Sequence, residues 1–129
     1  MTTGGPSVIN PDSAVLRLYT RPGRPGPGER YEPGDALIRT LIQSDRFEVG
    51  IWEALPGESF WVDCHEHDEF QYIIAGEATV LLPDERRALT ARAGEVVYMT
   101  AGTSHQTMNR GETMLRVLYC APPNPIAVT

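Results

Sequence analysis

The sequence predicts an all-β domain, a sandwich or barrel of short strands. Three observations carry that prediction. From residue 35 the chain is a succession of short β-like runs. Turn signals separate them at close intervals. No window sustains the apolar periodicity of an amphipathic helix.

In chain order, strands are expected at Ala36–Gln43, Arg46–Glu53, Ser59–Asp63, His67–Ile74, Glu77–Leu82, Arg87–Arg92, Glu95–Met99, His105–Asn109 and Thr113–Cys120. Turns fall at Pro56-Gly57, Ala75-Gly76, Pro83-Asp84, Ala93-Gly94, Ala101-Gly102 and Arg110-Gly111, where glycine supplies a positive φ or a close backbone approach. Before this array, Arg21-Pro22-Gly23-Arg24-Pro25-Gly26-Pro27-Gly28 can hold neither helix nor central strand. It isolates the apolar run Ala14–Tyr19, which is expected to add an edge strand, either to its own sheet or to that of a second copy. The organisation read from this is an N-terminal arm over residues 1–30, a barrel over 31–121 and a surface tail over 122–129, opened by Pro122-Pro123-Asn124-Pro125. Arg17, Arg21, Arg24 and Arg30 in the arm read as solvated linker charges.

Composition narrows the function. The 129 residues make one domain, and 41% hydrophobic with 22% charged residues is ordinary for a soluble globular chain. Eleven basic against seventeen acidic side chains give a net charge of −6, which argues against a nucleic-acid partner. No run approaches the ~20 apolar residues of a membrane span. Met1–Pro6 has neither the charged nor the apolar region of a signal peptide. Two cysteines make no disulfide framework, so the expected compartment is the cytoplasm.

All three histidines, His65, His67 and His105, fall in two β-like segments. Residues two apart on a regular strand share a face, so Asp63, His65, His67, Glu69 and Gln71 would project together. Five polar side chains on one buried face carry a heavy desolvation cost. A divalent ion turns them into ligands, and an HxH pair with a distant histidine suits a borderline transition metal. Trp61 and Ile73 share that face as apolar walls. Trp52, Phe47, Tyr98, Met99, Met108 and Met114 are candidates for the barrel interior. Cys64 has the opposite parity, and Cys120 reads as a buried, inert thiol.

Two segments resemble the motifs of the cupin superfamily. The second motif is matched by Gly94, five residues, Thr100-Ala101-Gly102, two residues, His105, three residues and Asn109, with Thr100 standing where the family usually has proline. The first is matched by Gly57 and by His65-Glu66-His67-Asp68-Glu69-Phe70-Gln71-Tyr72-Ile73-Ile74-Ala75-Gly76. Seventeen residues separate Gly76 from Gly94, close to the shortest spacing typical of the family. The resemblance implies a cupin β-barrel, a double-stranded β-helix or jelly roll, with a metal inside.

The first motif aligns in two ways. Placing Glu69 on the motif glutamate gives Asp63, His65, Glu69 and His105 as ligands and keeps the spacing to Gly76. Placing His65 and His67 on the motif histidines gives His65, His67, Gln71 and His105. Strand parity allows both. The second is preferred because it gathers every imidazole in the chain. Glu69 is then a spare carboxylate and the candidate acid/base, or the group that orients a ligating imidazole. The cofactor expected is one divalent transition metal (zinc, iron, nickel or manganese, with zinc favoured).

The HxHxxxQ pattern is similar to that of small aromatic-polyketide cyclases within the superfamily. The resemblance implies a metal-dependent enzyme performing non-redox carbonyl chemistry on a small organic molecule: cyclisation, isomerisation or elimination as in a lyase. A metal-dependent dioxygenase and a non-catalytic ligand-binding barrel are the alternatives. The expected partners are a small-molecule substrate and a second copy in a homodimer.

Overall fold

The computed structural model describes residues 5–24 and 30–123. The Pro-Gly run at 25–28 and the tail beyond residue 123 lie outside them. Among the described residues nine strands form: β1 (Leu16–Tyr19), β2 (Ala36–Gln43), β3 (Glu48–Ala54), β4 (Glu69–Ala75), β5 (Glu77–Leu82), β6 (Arg87–Arg92), β7 (Val96–Met99), β8 (Gln106–Met108) and β9 (Leu115–Ala121). Two short 3-10 turns, Pro11–Ser13 and Pro83–Glu85, are the only helical segments among the described residues.

A six-stranded sheet in the order β1-β2-β3-β9-β4-β7 faces a three-stranded sheet in the order β6-β5-β8. Every pairing is antiparallel. Alternation within each strand sets which side chains enter the space between the sheets. β5, for example, buries Ala78, Val80 and Leu82 and turns the residues between them outward. Ile38, Trp52, Ile73, Val80, Leu115 and Val117 build the core. Each such side chain stabilises by roughly 1.5–3 kcal/mol when fully buried, so polar residues further along the same strands are a local cost the core can carry.

The chain passes from one sheet to the other at Gly76, between β4 and β5. Its φ is 83°, and a Cβ there would stand 2.5 Å from the carbonyl oxygen of Met114. Both constraints require glycine.

The strand expected at Ser59–Asp63 is present as two isolated bridges, Ser59 to Met108 and Asp63 to His105. Phe60 N–H donates to Thr107 O at 2.8 Å, and Asp63 and His105 exchange backbone bonds of 2.8 and 2.9 Å. The segment runs along the free edge of β8 and hands its residues to the cavity.

Some expectations are corrected. Phe47, Tyr98 and Met114 are exposed, not interior. Tyr98 falls on the outward phase of β7, between buried Val97 and Met99, while Phe47 and Met114 stand in turns just before β3 and β9. The arm is not a solvated linker at Arg21 and Arg24. Arg24 bonds the buried Asp35 carboxylate, Arg21 N–H donates to Asp35 Oδ1 at 2.9 Å, and Glu32 N–H donates to Oδ2 at 2.9 Å. This clamp ties the arm to the entry of β2, and β1 pairs with the chain's own β2.

Candidate active site

Three adjacent strands, β3, β9 and β4, present a common inner face. Their register sets Trp52, Val117 and Ile73 in one row, and Gly50, Tyr119 and Gln71 in the next. Glu48 pairs with Ala121, and the same register continued by one residue brings Glu69 to the other side of Ala121. The face therefore grades from apolar core to a polar chamber within three rows.

Glu69 is the meeting point of the polar groups. Its Oε1 stands 3.3 Å from His65 Nε2 and 3.2 Å from His105 Nε2, and His65 Nε2 stands 3.1 Å from Asp63 Oδ2. Asp63 and His65 come from the edge segment, Glu69 from β4, and His105 from the residue before β8. The backbone bridge between Asp63 and His105 fixes their separation.

His67 does not join them. The chain bends at Glu66 and His67, which breaks the regular extension on which shared parity depends. The bend is pinned from the neighbouring loop. Gly102 N–H donates to His65 O at 2.7 Å, Ala101 N–H to Asp68 Oδ1 at 2.8 Å, and Tyr98 O–H to Asp68 Oδ2 at 2.6 Å. His67 is thereby exposed and outside the cavity lining. Gln71 does face inward, but its Oε1 accepts a hydrogen bond from Thr107 at 2.9 Å. The structure thus brings together Asp63, His65, Glu69 and His105, with Gln71 one strand step away. The preferred set of His65, His67, Gln71 and His105 is not gathered.

The electrostatics call for positive charge at this point. Among the described residues Glu69 Oε1 is buried without an aligned hydrogen-bond donor, although two imidazole nitrogens lie within 3.3 Å. His105 Nδ1 lies 3.0 Å from the carbonyl oxygen of Thr103. A carbonyl only accepts, so Nδ1 carries a proton and Nε2 turns toward the carboxylate. Burial disfavours a charge on His105, but Glu69, the Thr103 carbonyl and Asp63 outweigh it and raise its proton affinity above the usual 6.5. The hydrogen bond that His65 donates to Asp63 raises that of His65, against the effect of burial. Burial pushes Asp63 up, yet its contacts with His65 prevail and hold it below the ordinary aspartate value.

These contacts run as a chain, not a closed cage. Among the described residues no group of three or more His, Cys, Asp or Glu side chains is arranged to hold a metal ion as it stands. The donor chemistry nonetheless fits one. Successive donor atoms are 3.1, 3.3 and 3.2 Å apart, and neighbouring ligands on a coordination sphere of radius about 2.1 Å are about 3.0–3.4 Å apart. An orphaned, buried carboxylate oxygen between two imidazoles is what such an ion would satisfy.

An open cavity lies over these groups. Trp52, Phe60 and Trp61 wall it. Phe60 meets Trp52 edge-on at 5.5 Å between ring centroids and lies 4.1 Å from Trp61. Trp61 therefore does what its parity suggested, whereas Ile73 is sealed in the core. Reading along one strand missed Glu48, Tyr19 and Tyr119, which line the cavity from other elements.

Residues 50–120 match the Cupin_2 family, described as a cupin domain. The chain is a cupin. In fold it is similar to a predicted oxalate decarboxylase from Thermotoga maritima, with a TM-score of 0.72, 20% identity and coverage of 92% of this chain and 100% of that one. It is also similar to the polyketide cyclase RemF from Streptomyces resistomycificus, with a TM-score of 0.71, 23% identity and coverage of 93% and 81%. At those identities the likeness is one of fold. A stretch of 112 residues is 35% identical to the probable replication restart protein PriA of Mycobacterium leprae, taking in 80% of the cupin but 17% of that protein. The cupin thus spans less than a fifth of that relative's length.

Proposed function

We propose that this cupin is a metal-dependent enzyme that performs non-redox carbonyl chemistry (cyclisation, isomerisation or elimination) on a small organic molecule. The observation that carries the reading is Glu69 Oε1, buried without an aligned donor between His65 Nε2 and His105 Nε2. Asp63, His65, Glu69 and His105 would hold one divalent ion, with zinc favoured. When bound, such an ion supplies Lewis acidity toward a substrate carbonyl.

The chain's own residues supply the rest. Thr103 O fixes the His105 tautomer so that Nε2 faces inward. Asp63 orients His65. Thr107 holds the Gln71 amide by its oxygen, which leaves Nε2 to donate to a substrate oxygen as charge develops there. Trp52, Phe60 and Trp61 exclude water and orient a flat ligand against the polar rows. Likeness in fold to a polyketide cyclase is compatible with this reading.

The test is metal analysis of protein purified aerobically without chelator, paired with thermal melts before and after chelation. Near-stoichiometric zinc and a melting point lowered by chelation support the proposal, because an ion that binds only the folded chain stabilises it. Iron or copper with substrate-dependent oxygen uptake would favour a dioxygenase. Protein that takes up no divalent ion at any loading would remove the enzyme reading and leave a ligand-binding barrel.

A further inference from the structure

We propose that Glu48 and Tyr119 form a second recognition subsite in the cavity, which accepts a hydroxyl hydrogen from a flat, uncharged, hydroxylated ligand. The inference rests on the reading above only in taking the cavity as the place where the ligand binds.

The pair is built with care. Glu48 is almost fully buried, lines the cavity, and accepts from Tyr119 O–H at 2.8 Å on Oε2. Among the described residues its Oε1 has only a long contact, 3.5 Å, with Gln43 Nε2. Burial first, and then the Glu48 charge, raises the Tyr119 phenol well above its ordinary value of 10.0. The phenol therefore keeps its proton and commits it to Glu48, so its oxygen faces the cavity as an acceptor alone. Glu48 has acceptor capacity left on Oε1. The chain makes room for this arrangement at Gly50, in the middle of β3. A Cβ there would stand 2.6 Å from the Tyr119 hydroxyl and 2.8 Å from its ring carbon. Glycine inside a strand is less stable than alanine, a loss that lets the Tyr119 ring lie over β3.

The position sets the ligand's shape. Ala121 separates Glu48 from Glu69 across two strand spacings, or about 10 Å. The small side chain leaves the space between the carboxylates open. A ligand that reaches the Glu69 cluster with one end would put its other end near Glu48 and Tyr119, along the aromatic wall.

The charge sets its chemistry. The cavity lining carries Glu48, Asp63 and Glu69, and among the described residues no arginine or lysine lines it. A carboxylated or phosphorylated ligand would meet repulsion at the Glu48 end with no cation to offset it. A neutral hydroxyl can donate to either acceptor without adding charge.

The experiment is calorimetric titration of chelator-treated full-length protein with 2,6-dihydroxynaphthalene and with 2-naphthol. One added hydrogen bond to a charged acceptor is worth roughly tenfold in affinity. The expected result is a preference of about that size for the diol in the unaltered protein. It falls to within about twofold in Glu48→Leu and to an intermediate value in Glu48→Gln, while 2-naphthol affinity stays constant. An apolar replacement removes a buried charge, so Glu48→Leu is expected to fold; if it does not, the partial loss in Glu48→Gln decides. A diol preference unchanged in the variants overturns the proposal, as does failure of the unaltered protein to bind either probe. Because no metal is present, failure of metal loading leaves this result standing, and failure here leaves the metal assignment standing.

Discussion

His105 is held from both sides. Its Nδ1 lies 3.0 Å from the Thr103 carbonyl, and its Nε2 lies 3.2 Å from Glu69 Oε1. The first contact fixes which nitrogen carries the proton. The second sets Nε2 against a carboxylate, so that atom holds either a proton, as the raised proton affinity of the ring favours, or a metal ion in its place.

The two candidate ligand sets differ at His67, which gives a direct test. His65→Ala and His105→Ala should each lose most bound metal, with affinity reduced at least about tenfold. His67→Ala should bind as the unaltered protein does, because the bend at Glu66 and His67 carries that ring away from the cavity. Metal content after dialysis against a weak chelator is the measurement. Metal lost from His67→Ala would restore the set of three histidines and Gln71.

The contrast shows what was legible in the sequence. The bounds of β2, β5 and β6 agree residue for residue with the β-like runs seen in it, because each is a patterned stretch closed by turn residues. His65 and His105 were common to both alignments, and they are the imidazoles that meet. His67 was misplaced because strand parity holds only while the strand is straight. The groups that bend it, Asp68 and the Ala101–Gly102 loop, lie more than thirty residues apart. Glu48 and Tyr119 were missed for a related reason: their contact depends on the pairing of β3 with β9, and no local spacing announces it. Arg21 and Arg24 read as solvated because Asp35, their partner, lies beyond the proline-glycine run.

The Asp35 clamp has a pH signature. Burial raises the Asp35 carboxyl, but backbone donors from Arg21 and Glu32 and the charges of Arg24 and Arg21 outweigh it, so the folded value lies below the ordinary 3.8. A depressed carboxyl stabilises the fold above its unfolded value, and that contribution is lost as pH falls through the folded one. Asp35→Asn should cost about 2 kcal/mol near neutrality. The difference from the unaltered protein should hold from pH 5 to 8 and shrink below about pH 4. Urea melts across that range measure it; a difference that grows at low pH would contradict the clamp.

The two thiols should report the fold independently. Cys64 is exposed, whereas Cys120 is half-buried on β9, and burial, then the Glu69 charge, raises its thiol above the ordinary 9.0. Reaction with a chromogenic disulfide at pH 8 should show one fast thiol and one slow one, since the thiolate is the reactive form. Cys64→Ser should abolish the fast phase. Two equal fast phases would mean that β9 is not seated between β3 and β4.

Gly50 and Tyr119 should be energetically coupled. A methyl group at residue 50 meets the Tyr119 hydroxyl at 2.6 Å and its ring at 2.8–2.9 Å, and β3 is held on both sides, by β2 and β9, so the backbone has little room to yield. Overpacking of this kind costs typically 1–3 kcal/mol, against the gain of about 0.5–1 kcal/mol that alanine brings over glycine within a strand. Gly50→Ala should therefore destabilise the protein on balance. Placed on a Tyr119→Val background, where the ring is gone, the same substitution should become neutral or stabilising. The coupling in this double-mutant cycle is the decisive quantity. Additive effects would mean that the ring does not lie over Gly50, and the Glu48–Tyr119 contact would lose its support.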